Sequence, residues 1–263
     1  FTGEYDGAGY SISGLTINRP YTGYIGFFGA TQSATIRNLS LTNGNIIGKD
    51  RTGSLVGMTY ATTTIDNSSA SGSVDGRDML VGGLVGYLYS SSIIRNSYST
   101  ASVVGSSYYI GGLVGYMYTS SILNSYSIGS VVATNSSTNA YSGGLLGYKG
   151  SGTVTNSFYN NTTSGKSDTG KGTGKTTTQM KTLSTFTSWD FNDTWGIDTS
   201  GTINVGYPYL NYDHSYESLV TLHNLDDDVN VKVNVSSSNT SEATVSPATL
   251  TFTPSNWNSN QAV

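Results

Sequence analysis

The chain of 263 residues has no cysteine, which excludes disulfide staples, thiolate nucleophiles and sulfur-based zinc sites. Its two histidines, His214 and His223, do not have the His-Glu-x-x-His spacing of a zinc peptidase helix. Charged residues make up only 11% of the chain, far below the roughly 25% usual in soluble globular domains. Against 16 Asp and Glu stand 12 Lys and Arg, a formal net charge of -4. No basic stripe is available to a phosphate backbone, so nucleic acid is excluded as a partner. No window approaches the ~18 apolar residues of a membrane-spanning helix. Residue 1 onward already reads as strand and turn, so an export signal is expected outside these residues.

What is abundant is Gly, Ser, Thr, Asn and Tyr, with 33 glycines and 20 tyrosines, a profile of stacked strands and polar turns. A small apolar box recurs: Gly26-Phe27-Phe28-Gly29, Gly53-Ser54-Leu55-Val56-Gly57, Gly82-Gly83-Leu84-Val85-Gly86, Gly111-Gly112-Leu113-Val114-Gly115 and Gly143-Gly144-Leu145-Leu146-Gly147. The closing glycines lie 28, 29, 29 and 32 residues apart. A second box follows in fixed phase at Ile36-Arg37-Asn38-Leu39, Ile65-Asp66-Asn67-Ser68, Ile94-Arg95-Asn96-Ser97, Leu123-Asn124-Ser125 and Val154-Thr155-Asn156-Ser157. A third β-run is fainter, at Gly72-Ser73-Val74, Ala101-Ser102-Val103-Val104 and Gly129-Ser130-Val131-Val132.

Three short runs per unit of about 29 residues predict a three-sided coil. Each unit exposes apolar side chains that it cannot bury alone, so successive units stack and close a common core. The prediction is an all-β chain: a right-handed parallel β-helix of five to six coils, roughly 25 to 30 Å long at ~4.8 Å per coil. Box glycines serve either φ > 0 or close approach of backbones at coil corners. Asn38, Asn67, Asn96, Asn124 and Asn156 share one register, and their amides are expected to hydrogen-bond from coil to coil as a structural ladder. Tyrosines form columns as well: Tyr87, Tyr116 and Tyr148; Tyr89 and Tyr118; and Tyr98 and Tyr126 with Phe158. Such columns contribute ring contact wherever they point. A solvent-facing one is also a platform for sugar rings, but the sequence leaves the facing open.

These boxes resemble the GLUG-motif repeats of bacterial surface adhesins, which also occur beside the catalytic domains of IgA-cleaving metallopeptidases. The resemblance covers about residues 1 to 210. Phe1-Thr2-Gly3-Glu4-Tyr5-Asp6-Gly7 through Ile17 looks like the lead-in coil. Trp189-Asp190-Phe191, Trp195-Gly196-Ile197 and Tyr207-Pro208-Tyr209-Leu210 look like the closing segment. The resemblance implies an extracellular setting and this architecture; it implies no single activity, since folds do not dictate chemistry.

Residues 1–160 are thus assigned to the solenoid, 161–212 to a loop and an aromatic-rich cap, and 213–263 to a small antiparallel β-sandwich-like module. The Gly, Ser, Thr and Lys rich stretch from Asn160 to Thr178 predicts a surface loop with few packed contacts. Gly170-Lys171 is followed by Gly172, and Gly174-Lys175-Thr176 has Thr169 where a phosphate-binding loop needs its first glycine, so nucleotide is excluded. A short Thr-capped helix is expected within Thr177 to Phe186. The aromatic group around Trp189, Phe191, Trp195 and Tyr209 is expected to cover the open end of the tube, whose strand edges would otherwise invite aggregation. Val245 to Asn258 resembles tandem immunoglobulin-like modules of surface proteins, and Val263 is expected to precede the module's last strand, through truncation or completion by a neighbouring subunit.

For function, the first expectation is a non-enzymatic adhesive or stalk module. It would meet a host or matrix glycan or protein through Tyr87, Tyr89, Tyr116, Tyr118 and Tyr148, without a cofactor. The alternative is a polysaccharide lyase or hydrolase using Asp75, Asp78 and Arg77, because glycoside chemistry needs two carboxylates ~5 to 9.5 Å apart. A second alternative is a self-assembling extracellular filament of copies of the chain. Asp226, Asp227 and Asp228 are weak calcium candidates.

Overall fold

A computed structural model describes residues 1–135, 141–212, 219–220, 231–234, 249–252 and 261–262. The chain divides into two units, Phe1–Tyr212 and Asp213–Val263. In the first unit, equivalent residues of successive coils pair in parallel, as the period of about 29 residues requires. The apolar box leads into strands Phe28–Gln32, Val56–Tyr60, Val85–Tyr89, Val114–Tyr118 and Leu146–Lys149, stacked as a five-stranded sheet. The second box aligns Tyr5, Ile36, Ile65, Ile94, Ile122 and Val154 in one column. The third aligns Ile17, Ile46, Val74, Val103 and Val131. The result is a parallel β-solenoid of about five turns.

One strand runs through the second box in the early coils, Thr35–Gly48 and Thr64–Gly76, and from the coil of Asn96 onward the box is split into two short strands. Asn38, Asn67, Asn96, Asn124 and Asn156 all have left-handed φ, between 42° and 53°, so the chain bends at each. A further strand column starts beyond the bend, where Tyr98 pairs with Ser69 and Tyr126, and Tyr126 with Phe158. Asn is the side-chain-bearing residue that tolerates this conformation best. A two-residue corner at Val81–Gly82, Ile110–Gly111 and Ser142–Gly143 closes each circuit.

The core fills the tube. Ile36, Ile65, Ile94 and Ile122 meet Leu55, Leu84, Leu113 and Leu145 with the valines beside them, all fully buried. A second cluster joins Ile46, Val74, Val103 and Val131 to Val81 and Ile110. Each such side chain contributes about 1.5–3 kcal/mol by burial. The box glycines allow this by close approach rather than by positive φ. A Cβ on Gly86 would lie 2.6 Å from Gly57 O and from Thr52 N, and one on Gly115 2.6 Å from Gly86 O and from Val81 N.

Two parts of the 161–212 segment cover different surfaces. The loop after the last coil packs on the tube's end: strand Thr173–Lys175 adds in parallel to Phe158–Asn160. Tyr159 OH donates to Asp168 O (2.8 Å), Gly144 N donates to Asp168 Oδ1 (2.9 Å), and Lys171 Nζ donates to Ser142 O and Gly147 O. This corrects the expectation of few packed contacts: open backbone groups on the last coil draw the polar loop down. The aromatic segment instead lies along the flank. Met180, Phe186, Trp189, Trp195, Tyr207 and Leu210 bury Tyr126 and pack on Tyr98 and Phe158. At its far end Tyr212 OH meets Ser40 Oγ (3.0 Å) and donates to Asn67 O (3.2 Å). Helix Thr177–Met180 is capped by Thr176 in a capping box with Gln179, and a separate helical turn spans Asn161–Ser164.

In the second unit, Leu219–Val220 pairs antiparallel with Gln261–Ala262, and Val231–Asn234 with Thr249–Phe252. Asp226, Asp227 and Asp228 lie outside the described residues.

Candidate functional site

The strand after each apolar box alternates about the tube wall. Leu88, like Met117, points inward and is fully buried, which turns its strand neighbours Tyr87 and Tyr89, and likewise Tyr116 and Tyr118, outward. Parallel in-register pairing then stacks like on like. Tyr87 and Tyr116 are 4.9 Å apart with planes at 10°, and Tyr89 and Tyr118 are 6.1 Å apart at 19°. Tyr148 continues the first column at 5.5 Å from Tyr116, and is exposed.

Repeat reasoning missed half of this surface. Tyr109 stacks on Tyr116 (5.1 Å) and packs on Tyr148 (5.1 Å), while Tyr141 packs against Tyr108, Tyr109 and Tyr148. These tyrosines sit in turns that differ from coil to coil, so no register announced them. Tyr60 extends the surface toward the N terminus, its hydroxyl 3.4 Å from that of Tyr24, with the Arg51 guanidinium over the Tyr24 ring at 4.8 Å. Burial, then the Tyr116 phenol, pushes Tyr87 up to about 12, and burial with Tyr109 raises Tyr116. At neutral pH Tyr87 and Tyr116 are therefore neutral phenols at the centre of an aromatic face.

The asparagine column is a ladder of bends rather than of amide bonds. No Asn–Asn side-chain hydrogen bond joins its members among the described residues; Asn38 and Asn96 donate instead to Asp6 Oδ1 (3.0 Å) and Asp66 Oδ1 (3.2 Å). The coil-to-coil ladder is made by the next residue. Ser68 N donates to Ser97 Oγ, Ser97 N to Ser125 Oγ and Ser125 N to Ser157 Oγ, each at 3.2 Å. Each of these four hydroxyls donates to the carbonyl two residues before it. All four serines are buried, and the repeated Asn-Ser pair was the sequence signal for them.

Of the two carboxylates weighed for catalysis, Asp75 and Asp78, only Asp75 makes an ion pair among the described residues, as do Asp50 and Asp66 elsewhere on the coils. Asp75 Oδ2 is 3.2 Å from Arg77, Asp50 pairs with Arg51, and Asp66 with Arg95 at 2.7 Å. Asp78 lines an open cavity with Pro20, Tyr21, Lys49 and Arg77. Among the described residues no group of three His, Asp or Glu is placed to hold a metal ion.

Comparison with known proteins places this geometry. Residues 78–104 and 106–132 match the GLUG motif. The chain is 39% identical over 83 residues to Halomucin of Haloquadratum walsbyi, and 38% identical over 79 residues to a protein of Evansella cellulosilytica named as a Gly-rich membrane protein. Those matches cover 31% and 29% of this chain but 1% and 9% of the relatives, so the chain spans a small part of their length. A crystal structure of a candidate immunoglobulin A1 protease from Bacteroides ovatus shares the fold, with a TM-score of 0.59 at 22% identity, covering 79% of this chain and 76% of that one. Two consecutive coils of the tube are thus GLUG motifs, and the chain is a repeat protein that carries this motif in a parallel β-solenoid.

Proposed function

We propose that this chain is an extracellular, non-enzymatic binding and spacer module of a surface protein, and that its tyrosine face meets a host or matrix glycan or protein. One observation carries the reading: a contiguous set of outward tyrosines stands on a sheet anchored in the core through the fully buried Leu88 and Met117. Rings held by stacking lose little side-chain freedom on contact, so a ligand laid across them meets a preorganised surface. The ion pair of Asp75 with Arg77 argues against the enzyme alternative, because that carboxylate is not left as a free acid or base.

An array of matrix glycans and proteins, run beside an assay for new reducing ends or unsaturated products, tests the reading. Retained ligand without product is expected, with retention lost in the Tyr118→Ser, Tyr148→Ser double variant. Product release abolished by Asp75→Asn with Asp78→Asn would establish the enzyme instead. Polymers of the purified chain in electron micrographs, with no retained ligand, would favour the filament.

A further inference from the structure

From Met79 to Ser167 the chain contains no Asp or Glu. This stretch builds the coils that carry Tyr87, Tyr89, Tyr116, Tyr118 and Tyr148, so the charge on that part of the tube comes from lysine and arginine alone. Arg95 is taken up by Asp66 across the coil boundary, at 2.7 Å. Lys149 is not: it is exposed and makes no ion pair among the described residues. It occupies the register position of Met117 and Leu88, both fully buried, at the last turn of the sheet, immediately after Tyr148.

Lys149 also lines an open cavity of about 390 Å³ together with Tyr141, Tyr148, Thr169, Gly170 and Lys171. Lys171 is bound to Ser142 O (3.1 Å) and Gly147 O (2.9 Å), with the Asp168 carboxylate 3.8 Å away. Asp168 in turn accepts from Gly144 N, so it faces the end of the tube. The cavity thus joins aromatic surface to the Lys149 ammonium, and no carboxylate is among its lining residues.

We infer that the tyrosine face takes an acidic polysaccharide, with sugar rings lying on the stacked tyrosines and a carboxylate or sulfate seated at Lys149. This rests on the reading of that face as a binding surface and names its ligand class. Pyranose rings present apolar C–H faces to aromatic rings, while the phenol hydroxyls along the edge serve the ring hydroxyls. The anionic group pairs with Lys149 in partial exposure to water, so the charge term is modest and falls with added salt.

The experiment uses the full chain with polygalacturonate and its fully methyl-esterified form, which offer the same rings with and without charge. Polygalacturonate is expected to bind more tightly, and its advantage should shrink as sodium chloride is raised. Lys149→Glu should weaken polygalacturonate binding by about tenfold, equivalent to ~1.4 kcal/mol, and leave the ester unchanged. Tyr148→Ser should weaken both; unchanged thermal midpoints of the variants verify the fold. Equal binding of the two polymers, lowered by Tyr148→Ser and indifferent to Lys149→Glu, would overturn the acidic assignment and leave the aromatic binding face standing. Failure of both polymers to bind would also overturn it, and the matrix array then decides the broader reading independently.

Discussion

Asparagine and serine at neighbouring positions do different work, and substitution separates them. Asn96 has φ 47° and sits at a bend, where its contribution is tolerance of the left-handed region. Asn96→Gly is expected to stay within about 1 kcal/mol of the parent, whereas Asn96→Val forces a β-branched residue into that region at a cost of roughly 1–3 kcal/mol. Ser97 Oγ accepts from Ser68 N and donates to Arg95 O in a buried setting. Ser97→Ala leaves the Ser68 amide unpaired and is expected to cost about 1–3 kcal/mol. Denaturant midpoints of the three variants check the order; an Asn96→Gly loss equal to that of Asn96→Val would show that the amide, not the bend, matters.

At the scale of single elements, parallel strands that repeat one residue stack identical rings, and stacking shelters phenols from water. Burial is the first cause of the upward shift in Tyr87, Tyr159 and Tyr212, each to about 12, and it also raises Tyr98 and Tyr126. A folded-state pKa above the unfolded one near 10 means that the folded chain holds protons the unfolded chain has released. The stabilisation is therefore complete below pH ~10 and is lost as pH rises from ~10 toward 12. Thermal midpoints should be flat from pH 7 to 9 and fall steeply above 10, in step with a late-titrating fraction of tyrosinate absorbance. A single tyrosinate step near pH 10 without loss of stability would contradict the burial of these phenols.

Across the first unit as a whole, coils touch only their neighbours, so surfaces at the end and along the flank need separate cover. The 161–175 stretch serves the end and the aromatic segment serves the flank, reaching from Phe158 back to Ser40. Trp189 fixes the flank cover to the tube, packed on Tyr126, Phe158 and Phe186, with Nε1–H donating to Asn156 O at 2.8 Å. Trp189→Ala is expected to destabilise the first unit by about 3–5 kcal/mol and to expose the Tyr98–Tyr126–Phe158 column. Calorimetry together with binding of a hydrophobic dye reads both effects.

Repetition makes most of the solenoid legible in the sequence. The Gly-Leu-Val-Gly and Ile-x-Asn boxes identify the stacking register by themselves, because a parallel coil pairs residue i with its equivalent one period later, whatever the side chains' surroundings. The same periodicity revealed the Tyr87, Tyr116 and Tyr148 column. Its facing, which the sequence left open, followed from Leu88 and Met117 filling the core. Other features depend on contacts between residues far apart in the chain, which no period records. Tyr109 and Tyr141 join the face from unlike turns, Asp168 turns a loop into a lid through Gly144, and Tyr212 reaches Ser40 across 172 positions. Sequence alone determined the coil and what repeats within it, because repetition is a local property written in every unit. Only the tertiary structure decided which column faces solvent, which is covered by the flank, and where a free lysine meets the tyrosines, because each is settled by what the rest of the chain packs against.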